Sequence, residues 1–137
     1  MEKDFLPLFA MPKSREELNL LSPAVLAFVG DGVQTLFVRT EVSLTGNLKP
    51  HEFHNRTAHI INAASQASAA RKILCLLSEE EMDIYKRCRN FKTGTTAKNA
   101  SLIDYKTATG LEGLIGYLYL AGRNERLTEL LHKAYKE

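Results

Sequence analysis

Two acidic residues stand in surroundings that an ordinary solvated helix would not give them. Asp31 lies within Phe28-Val29-Gly30-Asp31-Gly32-Val33, and Glu112 within Thr109-Gly110-Leu111-Glu112-Gly113-Leu114-Ile115-Gly116. A carboxylate taken out of water costs on the order of several kcal/mol unless it is paired, hydrogen-bonded or bound to a cation. The flanking glycines cost roughly 1 kcal/mol apiece in a helix interior relative to alanine. Glycine there implies something close to the backbone, either a neighbouring helix or a ligand. The shared pattern implies that two helices cross at these points and bring the carboxylates together. A divalent cation would relieve their repulsion, and oxygen-only ligands favour Mg²⁺ or Mn²⁺ over zinc. A second reading stays open, in which each acid pairs with an arginine, Arg39 or Arg56 for instance, in a structural salt bridge.

A different chemistry is suggested by residues 86–98, which carry Lys86, Arg87, Arg89, Lys92 and Lys98 and no acid. Asn90, Thr93, Thr95, Thr96 and Asn99 add neutral donors. Cations that attract and amides or hydroxyls that position suit phosphate oxygens. The plainer alternative is a solvated helix end followed by a polar loop. His51, His54 and His59 share one helical pattern but lack the HExxH spacing of a zinc site, and read as exposed or phosphate-facing. Gln66, with Ala63, Ala64, Ser65 and Ala67, reads as a helix–helix contact rather than a cofactor pocket. Cys75 and Cys88 form no CxxC pair, so both read as reduced and buried.

The elements that must position these groups are helical. Ser22-Pro23 is an N-cap followed by proline at the first helical position. Apolar residues then recur at helical spacing (Val25, Leu26, Phe28, Val29, Val33, Leu36, Phe37) until Gly46 offers a C-cap. Lys49-Pro50 opens a long second pattern through Phe53, Ile60, Ile61 and Leu74, with a break expected near Asn62. Ser78 followed by Glu79, Glu80 and Glu81 forms a capping box, and this helix ends in Lys86, Arg87 and Arg89. Residues 91–100 read as a loop. Ser101 with Asp104 caps the helix that carries Glu112, and Asn124 is expected to cap a last short helix. Asp104 and Lys106 read as capping or site residues. No alternating strand pattern appears.

The chain has 137 residues, 45% hydrophobic and 25% charged, which fits one globular domain and excludes a disordered chain. The longest nearly apolar stretch, 114–122, is too short to span a membrane. Met1-Glu2-Lys3-Asp4-Phe5 lacks the basic start of a secretory signal, so a cytoplasmic setting is expected. The net charge of +2 is too mild to identify a partner. The expectation is one all-α helical-bundle domain over 1–137, with residues 1–20 an N-terminal extension of unassigned role.

Leu26-Ala27-Phe28-Val29-Gly30-Asp31-Gly32-Val33 resembles the signature helix of the ribonuclease III catalytic domain, and 111–120 resembles its second acidic helix. The segment Arg89-Asn90-Phe91-Lys92-Thr93-Gly94-Thr95-Thr96-Ala97-Lys98-Asn99 is similar to the basic loop of the Mini-ribonuclease III branch, which consists of the catalytic domain alone. Phe53-His54-Asn55-Arg56-Thr57-Ala58 through Gln66-Ala67 is similar as well. Four motifs in the same order cover roughly 21–131.

The resemblance implies an all-α, homodimeric endonuclease that cuts double-stranded RNA with Mg²⁺, or Mn²⁺ in its place, with precursor 23S ribosomal RNA as its substrate. It implies Asp31 and Glu112 as catalytic metal ligands, and Arg89, Asn90, Lys92, Thr95, Lys98 and Asn99 as RNA-binding residues. It implies no double-stranded RNA-binding domain, so affinity must come from the dimer, its loop, or a helper such as a ribosomal protein or pre-ribosomal particle. Ala27, Thr35 and Thr109 stand where the wider family often carries further acids. That implies a metal shell rich in water and phosphate, and it supports an alternative in which the chain is an RNA-binding subunit that has lost cleavage. Neutralising Lys92 and Lys98 is expected to weaken RNA binding and to flatten its salt dependence by about two phosphate contacts. Binding isotherms across a salt series measure this.

Overall fold

Side chains that cap helix starts account for most of the boundaries in the computed structural model, which describes residues 12–92 and 101–137. The described helices are α1 (Arg15–Asn19), α2 (Pro23–Ser43), α3 (Pro50–Ile61), α4 (Ala63–Ile73), α5 (Glu79–Arg89), α6 (Leu102–Leu120) and α7 (Asn124–Tyr135), with a 3₁₀ turn at Leu74–Leu76. The Ser22, Ser78 and Ser101 hydroxyls accept the backbone N–H of Val25, Glu81 and Asp104. Pro50 starts α3, where Glu52 accepts the Lys49 N–H at 3.2 Å. The break expected near Asn62 is a single extended residue that serves two helices. Its amide nitrogen donates to the carbonyls of Ala58 and His59, and its oxygen accepts the Ser65 N–H.

Three boundary or burial expectations need correcting. Gly46 does not cap α2, which ends at Ser43 with Leu44 as its C-cap residue; Gly46, at φ 132°, lies in the loop beyond. Asn124 is the first residue of α7 rather than its cap. Gly122, at φ 72°, donates to the Tyr119 carbonyl while Arg123 N–H donates to that of Leu118. This left-handed closure of α6 fixes Arg123 as the residue preceding α7 and leaves no spacer for a side-chain cap. Cys75 is exposed, because the 3₁₀ turn that carries it faces solvent; Cys88 is buried, and both are free.

α6 is the central element. Leu111, Leu114, Ile115, Tyr117 and Leu118 are buried around its whole circumference, as a helix surrounded by others requires. α2, α4, α5 and α7 all pack against it, α2 most extensively. α1, formed by a capping box between Ser14 and Glu17, adds Leu18 to this core, and Lys13 N–H donates to the Leu120 carbonyl. Ion pairs tie the periphery: Arg126 joins Glu81 on α5 and donates to the Leu76 carbonyl, while Arg123 and the Tyr117 hydroxyl both hold Glu80.

The α2–α6 contact sets the geometry of the acids. A Cβ on Gly30 would lie 1.7 Å from the carbonyl oxygen of Glu112, and one on Gly116 would lie 1.9 Å from that of Leu26. The helices therefore run antiparallel, backbone against backbone. On the α5 side of α6, Gly110 faces Tyr85 and the Arg89 stem, and Gly113 faces Cys88. Gly30→Ala or Gly116→Ala must push α2 off α6, since the opposing atoms are backbone, and is expected to cost about 3 kcal/mol. Urea unfolding of each variant checks this.

Candidate active site

Asp31 and Glu112 meet where α2 crosses α6. Asp31 is exposed and Glu112 half-buried. Their carboxyl groups are within hydrogen-bonding contact of each other, and the Gln66 amide donates to Glu112. Burial first, then the charge and shared proton of Asp31, push the Glu112 pKa up to about 8. Among the described residues no arginine or lysine forms an ion pair with either acid. Arg56 instead reaches the Thr45 hydroxyl at 3.5 Å. The crossing expected from the glycines is thus present, and the arginine-paired alternative is not.

Sequence reasoning missed three neutral residues around this pair. Gln66 does pack between helices, but its amide is also a partner of Glu112, which corrects its reading as contact alone. Gln34, one turn beyond Gly30 on α2, is fully buried, and its Oε1 accepts a hydrogen bond from the Tyr135 hydroxyl of α7. Burial, with the negative charges of Glu112 and then Asp31, raises the Tyr135 pKa. A glutamine within the apolar run Val33-Gln34-Thr35-Leu36-Phe37 was a signal for Gln34; nothing in the sequence marks Tyr135. The positions where the family often has acids are occupied neutrally: Ala27 is buried, and the Thr109 hydroxyl donates to the Tyr105 carbonyl at 3.0 Å.

Of the residues read as RNA-binding, the structure describes Arg89, Asn90 and Lys92; Thr95, Lys98 and Asn99 lie outside the described residues. Arg89 ends α5 beside Gly110, two residues before Glu112. Its guanidinium lies 5.7 Å from the centre of the Tyr85 ring, and its Nε donates to Asn90 Oδ1 at 3.0 Å. Lys92 is exposed. The basic end of α5 thus lies against α6, where the Arg89 stem faces Gly110. His51, His54, Asn55 and His59 form an exposed row on α3 at helical spacing, the three histidines exposed as expected. Asp104 is a helix-start residue whose carboxylate pairs with Arg71 at 2.7 Å.

The donor set at the crossing fits one class of cation. It offers two carboxylates and no thiolate or imidazole, and no cluster of three acidic, histidine or cysteine side chains occurs among the described residues. Hard oxygen donors in so small a number suit a cation that keeps several waters, as Mg²⁺ does.

The described residues form helices only, and two of these helices bring a pair of carboxylates together next to the basic end of α5. The family model for the Ribonuclease III domain matches residues 24–123. The chain is 42% identical over 125 residues to the Mini-ribonuclease 3 of Brevibacillus brevis, covering 88% of this chain and 93% of the relative. It is 45% identical over 118 residues to that of a Thermoanaerobacter species, covering 86% and 83%. A crystal structure of a Fusobacterium nucleatum protein superposes with a TM-score of 0.74 at 30% identity, covering 81% of this chain and 85% of that one. The chain belongs to the ribonuclease III family of endoribonucleases, in its Mini-ribonuclease 3 branch. No helix among the described residues is long and apolar enough to cross a membrane.

The raised Glu112 pKa carries a sign. Between the ordinary carboxylate range and about 8, the folded chain holds a proton that the unfolded chain has released. This group's contribution to stability is therefore complete at low pH and is lost as pH rises to about 8, at no more than about 1.4 kcal/mol per pH unit. Glu112→Gln is expected to abolish that slope and to be more stable than the parent at pH 8. Thermal melts between pH 5 and 9 without divalent ions check this.

Proposed function

We propose that this chain is a Mg²⁺-dependent endoribonuclease that cuts double-stranded RNA as a homodimer, maturing precursor 23S ribosomal RNA in the cytoplasm. The observation that carries the reading is the contact between Asp31 and Glu112 without a guanidinium partner. Two carboxylates held together against their own repulsion are a site for positive charge, and in this family the reaction is phosphodiester hydrolysis.

Asp31, at the exposed end of the pair, faces the substrate side and holds a cation jointly with the more buried Glu112. Gln66 fixes the Glu112 carboxylate by donating to it. A cation bound there would activate water for in-line attack and stabilise charge on the leaving 3′ oxygen. Lys92 and the rest of the basic segment, together with the histidine row of α3, offer donors to the phosphate backbone. Support for pairing comes from α2 itself, where Phe28 is 80% exposed beside the part-exposed Val25 and Leu36, and a Cβ on Gly32 would meet nothing. An apolar row on the same helix as Asp31 would set two sites across one axis, one for each RNA strand. A ribosomal protein or pre-ribosomal particle is the partner class that would present such a substrate.

Ala27, Thr35 and Thr109 favour the second reading, an RNA-binding subunit without cleavage. Incubation of the chain with a fully paired RNA and Mg²⁺ separates the two. Cutting is expected for the parent and a loss of at least about 100-fold for Asp31→Asn, read as product on a denaturing gel. Equal cutting by both proteins would remove the site. Salt-sensitive binding without cutting under Mg²⁺ or Mn²⁺ would establish the second reading.

A further inference from the structure

Gln34 has no exposed surface, yet only one end of its amide is satisfied. Oε1 accepts the hydroxyl proton of Tyr135, and Nε2 has no hydrogen-bond partner among the described residues. A buried donor without an acceptor is costly, and a leucine would fill the same space in this apolar helix without that cost. The amide lies one turn from Gly30, whose backbone rests on Glu112. Its clamp, Tyr135, is near enough to both carboxylates for their charges to act on its hydroxyl. The unpartnered donor therefore belongs to the surroundings of the acid pair.

We propose that Gln34 is a positioning residue of the acid site, clamped by Tyr135 so that Nε2 donates to an oxygen in the shell of a cation held by Asp31 and Glu112. Tyr135 has a single proton to give. By giving it to Oε1, it dictates that the amide presents N–H groups, not a carbonyl, on its other side. A neutral donor serves better here than lysine or arginine, which would compete with the cation for the carboxylates. Outer hydrogen bonds of this kind orient oxygen ligands and are commonly worth 10- to 100-fold in metal affinity, roughly. This inference rests on the metal-site reading above.

The test uses the full chain and Mn²⁺ alone, with free Mn²⁺ followed by its paramagnetic resonance signal in the absence of RNA. Gln34→Leu is expected to weaken Mn²⁺ binding roughly 10-fold or more. The double variant Gln34→Leu/Tyr135→Phe, which makes both ends of the contact apolar, should lose as much affinity while still melting cooperatively. On paired RNA both variants should lose kcat with KM for RNA unchanged. Unaltered Mn²⁺ affinity in the cooperatively melting double variant would overturn the inference, as would a change confined to melting temperature. Mn²⁺ binding by Asp31→Asn with the parent's affinity would overturn the acid-site reading itself, and with it this inference. That result is distinct from a failure at Gln34.

Discussion

The approach of α2 to α6 at Gly30 and Gly116 is closer than any side chain would permit, and most of the site follows from it. With a carbonyl of each helix lying against a glycine of the other, the two backbones fix their own register. Asp31 follows Gly30 by one residue, and Glu112 contributes the very carbonyl on which Gly30 rests. The carboxylates meet because the polypeptide that carries them has no freedom to part. The apolar side chains on the remaining faces of α6 hold the crossing shut, each worth roughly 1.5–3 kcal/mol when fully buried. Glycines that are poor helix formers are tolerated because tertiary packing, not propensity, stabilises these helices.

The distribution of charge separates framework from site. Glu80 and Glu81 are held below the ordinary carboxylate range chiefly by the guanidinium groups of Arg123 and Arg126, and they tie α5 to the chain around α7. Glu112 moves in the opposite direction, first because it is buried and then because its charged neighbour is another acid, with only the Gln66 amide acting the other way. Acids within one small domain thus receive opposite treatments: those paired with arginine stay charged and tie elements together, and the pair left without arginine keeps a proton up to about pH 8. The groups around the pair, Gln66 and Tyr135, are neutral and supply no compensating positive charge.

Helix starts were legible because capping is a local transaction between a side chain and N–H groups two or three residues on. Ser22, Ser78, Ser101 and the Asn62 break all obey it. The start of α7 escaped the same logic, since the left-handed residue Gly122 commits the chain before Asn124 can act as a cap. Cys75 and Cys88 look alike in sequence, and only the exposure of one turn distinguishes them. The site divides along the same line. Asp31 and Glu112 were visible as charges in apolar company, whereas Gln66 looked like packing because a buried amide betrays its partner only in three dimensions.

By itself, the sequence determined an all-α chain, its principal helix boundaries, and two carboxylates whose flanking glycines required a close crossing. These are consequences of periodicity, capping and solvation, which act within a few residues. Only the tertiary structure decided that no described arginine neutralises the acids, that one acid is exposed and the other half-buried, and that Gln34 of α2 meets Tyr135 of α7 within reach of their charges. It also decided that Phe28 faces outward while Leu26, two residues earlier, is buried. Such facts depend on which faces of distant helices meet, and residues separated by a hundred positions interact only once the whole core has closed.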